Sequence, residues 1–278
     1  MSTVLASLPV ATPSKSEPGP TPPRTVRPWA LSLATVALLL GVWWAVTALR
    51  LVEPLFLPPP HAVWAKLRVL VGEGFMDATL WQHAGASLGR VGLALLAAFF
   101  TAIPLGLWMG LQPRVRALVD PIIEFYRPVP PLAYLPLIVI WFGIGEFSKV
   151  LLIYLAIFAP VVIATVTGVG NTQESRVQAA RALGATRWQV VRFVVLPSAL
   201  PDILTGLRVG LGVGWSTLVA AELVAATRGL GFMVQSAAQF LATDIVVLGI
   251  LVIAGIAFAL ELGLRRLQRR FVPWQGKA

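Results

Sequence analysis

Six stretches of this chain, at 29–49, 88–111, 120–142, 150–170, 203–225 and 245–264, are apolar over most of their length. Each approaches the ~20 residues that an α-helix needs to cross the hydrocarbon of a bilayer. No other feature narrows the fold as far. A backbone in lipid must satisfy its own hydrogen bonds, so the pattern predicts an all-α membrane protein with six transmembrane helices. A mean hydropathy of +0.81, with 57% hydrophobic and 12% charged residues, agrees and lies far outside the composition of soluble domains.

The basic residues orient the spans. With the N-terminus inside, the inner loops and tails hold fourteen lysines and arginines, and the outer ones hold five, Arg50, Lys66, Arg68, Lys149 and Arg228. That asymmetry predicts an N-in, C-in topology. Arg90, Arg127 and Arg208 fall at or within spans. Residues 1–28, rich in Pro, Ser and Thr, read as a disordered cytoplasmic tail. They do not read as a signal peptide, because the next apolar run is too long and no cleavage pattern comes after it. The spans occupy 29–270, and 271–278 is a second cytoplasmic tail.

The net charge of +10 does not indicate nucleic acid, because the basic residues lie between apolar runs rather than on one face. There is no cysteine, and the only histidines are His61 and His83, which argues against thiol chemistry and against Cys/His metal sites. No G-x-x-x-x-G-K-[ST] loop is present. The chain is expected to carry no catalytic residue, metal or cofactor of its own.

Two outer segments look ordered. Val63, Trp64, Leu67, Leu70 and Val71 come after "LPPPH" at helical spacing, and 229–244 is too short and polar to span. Both read as interfacial helices or as a docking rim for an external partner.

The most specific stretch is "QAARALGATRWQVVRFVVLPSALP", Gln178 to Pro201, on the inner side. It reads as helix, glycine, helix, stop. Gly184 is placed as a left-handed terminator. Thr186 and Gln189 match a capping box, and Pro197 and Pro201 are expected to interrupt or kink the helical run beyond them. The result, over 174–197, is a compact elbow that needs an opposing surface. Here the chain resembles the permeases of ABC importers, which carry a cytoplasmic signature of the form E-A-A-x₃-G-x₉-I-x-L-P. Ala179, Ala180, Gly184, Leu196 and Pro197 stand in register, with Val194 at the Ile position and Gln178 in place of the acidic residue. "YRPVPPLAYLPLIVIWFGIGE" and "LRVGLGVGWSTLVAAELVAATRGLGFMVQSA" extend the resemblance to the branch that carries taurine, alkanesulfonates and nitrate.

That resemblance implies a type I ABC-importer permease in the bacterial inner membrane, moving taurine or a related sulfonate inward. It implies a homodimer, two cytoplasmic ATPase subunits that use ATP and Mg, and a periplasmic taurine-binding protein. It also implies ATPase coupling through Gln178, Ala179, Ala180, Gly184, Arg187, Leu196 and Pro197.

The remaining signals come from the residues themselves. Gly206, Gly210 and Gly214, and likewise Gly106 and Gly110, recur every four residues. Such faces permit close helix approach, either within one subunit or at a dimer or pore face. Pro121, Pro128, Pro130, Pro131 and Pro136 crowd the third span, as a kinked structural helix or as a broken helix beside a wet path. Tyr134, Trp215, Ser216, Thr217 and Glu222 are candidates to line that path. Glu124 and Arg127, three apart, can neutralise each other, while Arg208 can pair or snorkel to the inner interface. These three charges are read as structural or gating groups, and Glu261 with Arg265 as a structural i, i+4 pair. An ion-coupled secondary transporter would want inverted repeats and an intramembrane carboxylate site, and neither is visible. A membrane enzyme would have little to build a site from, with cysteine absent and histidine scarce.

Overall fold

The computed structural model describes residues 28–273. The tail expected over 1–28 (up to Arg27) and the last five residues of the tail expected over 271–278 lie outside the described residues. In chain order the helices are α1 (Pro28–Ala48), α2 (Pro60–Gly72), α3 (Leu80–Leu111), α4 (Pro113–Tyr126), α5 (Leu135–Phe142) and α6 (Glu146–Gly170). They continue as α7 (Glu174–Ala182), α8 (Arg187–Val190), α9 (Leu196–Ala225), α10 (Leu230–Gln239) and α11 (Thr243–Phe271).

Five helical runs are each long and apolar enough to cross a membrane, and a sixth span arises if the bent pair around residues 127–130 counts as one. The span expected over 120–142 is therefore two pieces, the broken helix of the two alternatives. α4 begins at Pro113 and ends at Tyr126, with Arg127 as its C-cap. The chain resumes in a 3₁₀ turn, Pro131–Tyr134, that leads into α5, and the two arms meet at 88°. Pro128, Pro130 and Pro131 remove donors, and Pro130, which precedes Pro131, is extended at φ −60° and ψ 134°. Pro121, by contrast, is accommodated inside α4.

α3 starts at Leu80, earlier than the apolar run suggests. Thr79 Oγ1 accepts from the Gln82 amide (3.3 Å) and Gln82 Oε1 accepts from the Thr79 amide (2.9 Å), so a reciprocal cap opens the helix in polar sequence. The added turns carry His83 and Ser87 into the interior, with Arg90 one turn further on.

α6 is the central helix, packed against both α3 and α9. A Cβ on Gly106 would stand 2.6 Å from Thr165 Cβ, and one on Gly214 would stand 2.6 Å from Ile157 Cγ1, both on α6. Both glycine stripes thus serve packing within the chain. Close approach matters there because dispersion, rather than expulsion of water, holds helices together in lipid.

Side-chain links order the two ends of the bundle. Ser87, Arg90, Glu146 and Glu222 join the starts of α3 and α6 to the end of α9. At the opposite end Gly110 packs on Val169, and Asn171 donates to Asp202 (3.1 Å). The elbow between α6 and α9 sits at that second end. Both outer segments are helical: α2 buries Val63 and Leu70 in a cluster with Leu230, Met233 and Ile245, while Trp64 remains exposed. Lys66 reaches Asp244 at 3.7 Å, tying α2 to α11.

Candidate functional site

The elbow is built as its capping residues dictate. Gly184 has φ +84°, the Gly184 amide donates to the Arg181 carbonyl (2.9 Å) and the Ala185 amide to the Ala180 carbonyl (3.0 Å). This is the paired closure of a helix ended by a left-handed residue. Thr186 and Gln189 then bond reciprocally (3.3 and 2.7 Å) and start α8. None of the α7 residues is buried, and Leu183, Trp188 and Phe193 are between 68% and 89% exposed. Gln178 is exposed and donates to the Glu174 carboxylate (3.3 Å), so an acidic group stands one turn before the position where the signature has its own. Ala179 and Arg187 are exposed, and Ala180 is half-buried.

Pro197 and Pro201 do not interrupt the helix as expected. A π-helical turn, Val191–Val195, absorbs the strain, with the Leu196 amide reaching back to the Val191 carbonyl. Pro197, directly after the π-helical turn, and Pro201 are both carried within the helical run. The outcome is one helical run, Arg187–Val224, about 57 Å long at 1.5 Å per residue. α8 is therefore continuous with α9.

Midway along that run lies a cavity of about 420 Å³. The broken segment supplies Tyr126, Arg127, Val129, Pro131 and Tyr134; α6 supplies the stretch from Leu155 to Ala164; α9 supplies Thr205, Gly206, Val209 and Val213. Pro160 has no N–H for the Ala156 carbonyl, and both residues line the space. The Tyr126 hydroxyl donates to the Leu155 carbonyl, which pins the end of α4 to α6. The Tyr134 hydroxyl is buried with no hydrogen-bond partner among the described residues. Arg127 lines the cavity, and no ion pair joins it to Glu124 among the described residues. Glu124 is exposed on the closing turn of α4, while Arg127 caps that helix beside the cavity.

The other sequence candidates lie elsewhere. Trp215 is buried, with its Nε1 unpartnered, in a cleft between α9 and α11 shared with Ser216. Thr217 is buried and its hydroxyl donates to the Val213 carbonyl (2.9 Å). Trp215 falls on the opposite side of α9 from the cavity face of Gly206, Val209 and Val213, whereas Thr217, four residues beyond Val213, continues that face outward as a buried residue that does not line the cavity. Arg208 pairs with Glu261 (2.9 Å), which also takes Arg265 (2.8 Å).

Glu222 is fully buried at the end of α9, in a polar node that sequence reasoning missed. Arg90 clamps Glu146 with two hydrogen bonds (2.6 and 2.8 Å), reaches Glu222 at 2.5 Å and also donates to the Arg228 carbonyl. Lys149 adds a bond to Glu146 (2.7 Å), so two cations face two carboxylates. Glu222 further accepts from Ser87 (2.8 Å) and from the Gly231 amide (2.8 Å), and Ser87 accepts from the Leu230 amide (2.9 Å). His83 Nδ1 accepts from the Gly229 amide (3.1 Å), which leaves Nε2–H to donate to the Phe75 carbonyl (3.1 Å). The first N–H groups of α10 are thus satisfied by side chains of α3 and α9, with a carboxylate at the positive helix end. Gly229, at φ +141°, is required there, because a Cβ would fall 2.4 Å from the Glu222 carboxyl carbon. The available signal was a pair of charges, Arg90 and Glu222, in two apolar runs; such groups are costly in lipid unless paired.

Comparison with known proteins matches these features to one class. The family described as binding-protein-dependent transport system inner membrane component matches residues 102–273, and the chain belongs to that family. It is a multi-pass inner-membrane permease. The chain is 68% identical over 248 residues, 89% of this chain and 90% of the relative, to the taurine transport system permease protein TauC of Escherichia coli (strain K12). Among solved structures it resembles the inward-facing MetNI methionine ABC transporter, with a TM-score of 0.62 and 18% identity over 69% of this chain and 95% of that one. An amino acid ABC transporter gives a TM-score of 0.55 at 20% identity over 75% and 95% of the two chains. These two likenesses concern the fold.

Proposed function

We infer that the chain is the permease of an ATP-driven importer for taurine. The observation that carries the substrate is the 68% identity to a taurine permease across nearly the whole of both chains. In this reading the elbow end is cytoplasmic, as the distribution of basic residues requires, and the Arg90–Glu222 node lies at the outer end. Two copies of the chain pair. An ATPase subunit, using ATP and Mg, docks on each elbow against Leu183, Trp188 and Phe193, and a taurine-binding protein delivers substrate to the outer face. Closure of the ATPases moves the elbow, and the unbroken run from Arg187 to Val224 transmits that motion to the cavity wall. This coupling needs different contacts at the elbow in the two nucleotide states.

The cavity suits a zwitterion that must leave again. Its wall is mostly apolar, with the Tyr134 hydroxyl next to the broken segment, and the charged residue that lines it, Arg127, is exposed rather than buried. A deep fixed charge would hold one end of taurine by several kcal/mol even at an effective dielectric constant of about 20, whereas a permeant must be released as readily as it enters.

The test is uptake by proteoliposomes containing the permease, its ATPase and its binding protein. ATP-dependent accumulation of labelled taurine, exceeding that of ethanesulfonate or nitrate, is expected, and permease alone is expected to hydrolyse no ATP. Preferential uptake of an alkanesulfonate or nitrate would move the substrate to another branch. Uptake driven by an ion gradient without ATP would refute the importer reading.

A further inference from the structure

At the elbow end a second cleft, of about 440 Å³, opens between α9 and the last turns of α11, lined by Arg208, Arg265, Gln268, Arg269 and Val272. Arg208 and Arg265 share one carboxylate, Glu261. Arg269 is exposed and has no carboxylate partner among the described residues. Three guanidinium groups therefore face a single negative charge. Gln268 braces the site by accepting from Arg208 (3.4 Å) and donating to Thr205 (3.3 Å).

We propose that this cleft binds a phosphate group, with Arg265 and Arg269 as its ligands and Arg208 as its floor. Guanidinium forks match the oxygens of a phosphate in pairs. The depth is also suitable. α11 has 29 residues, about 43 Å of helix against roughly 30 Å of hydrocarbon, so its last turns emerge into the headgroup layer. Basic pockets between helices at that level are suited to anionic lipid headgroups. The cleft is separate from the cavity of the proposed path, since the two share no lining residue.

The chemistry could be supplied by a phospholipid headgroup or by free phosphate, and one experiment separates them. The purified permease–ATPase complex in a neutral detergent is titrated with phosphatidylglycerol, phosphatidylcholine and inorganic phosphate, with binding followed by native mass spectrometry and by thermal protection. Phosphatidylglycerol is expected to bind more tightly than phosphatidylcholine, by about fivefold for each arginine engaged. Arg265→Gln and Arg269→Gln should each lower that affinity by about fivefold. Both residues are exposed, and Glu261 keeps Arg208 when Arg265 is replaced, so the variants should fold. Protection by inorganic phosphate equal to that by phosphatidylglycerol, and lost in the same variants, would assign the site to a soluble anion. Equal binding of the two lipids with no protection by phosphate, or affinities unchanged in Arg265→Gln and Arg269→Gln, would overturn the proposal.

Discussion

Replacing Arg90 by methionine is expected to cost about 3–5 kcal/mol of stability, the typical penalty for leaving a buried charge without its partner. The group stranded is Glu222, which has no exposed surface and sits at the start of α10. Loss of monodisperse protein in detergent and a lowered unfolding temperature would register the effect. Adding Glu222→Gln to the Arg90→Met variant should recover part of the loss, because a neutral amide still accepts from the Gly231 amide and leaves no unpaired charge. This rescue separates electrostatics from the packing of the arginine stem. A single Arg90→Met variant as stable as the wild type would mean that water, not protein, solvates the node.

Gly184→Val is expected to reduce capture of the ATPase, and ATP-driven uptake with it, by at least about tenfold. The reason is backbone conformation rather than space. A Cβ at this position meets nothing within 4 Å, yet φ is +84°, where L-residues are disfavoured by roughly 1–2 kcal/mol and β-branched ones more strongly. The helix end should unwind while the membrane-embedded bundle keeps its unfolding temperature. Gly184→Asn should retain most of the coupling, since asparagine tolerates the left-handed region. Full ATPase capture and normal uptake by Gly184→Val would remove the elbow from the coupling path.

What the sequence made legible is what local chemistry determines. The elbow was readable residue by residue, because Gly184 and the Thr186–Gln189 cap act within one turn. The spans were readable from length and apolarity. The break after Arg127 was visible as a run of prolines, but not as two arms at 88°, since proline forbids a helix without saying where the chain goes next. The Arg90–Glu222 pair spans 132 positions, and no local pattern connects the two. Facing direction on α9 was hidden for another reason: with apolar and small residues all round, the helix carries no amphipathic stripe to mark which face is wet. Trp215 drew attention as an aromatic exception, whereas the cavity face is made of Gly206, Val209 and Val213.

Which face of α9 is wet decides where the path runs, and the absence of cysteine from the chain makes that face measurable. Single substitutions Val209→Cys, Val213→Cys, Trp215→Cys and Thr217→Cys would be placed in the assembled complex. Each would be exposed to a small water-soluble methanethiosulfonate, with and without trapping by ATP and vanadate. Val209→Cys and Val213→Cys are expected to be modified, at rates that change on trapping, while Trp215→Cys and Thr217→Cys stay unmodified in both states. Modification of Trp215→Cys, with Val209→Cys and Val213→Cys silent in every state, would refute this placement and move the path to the other side of α9.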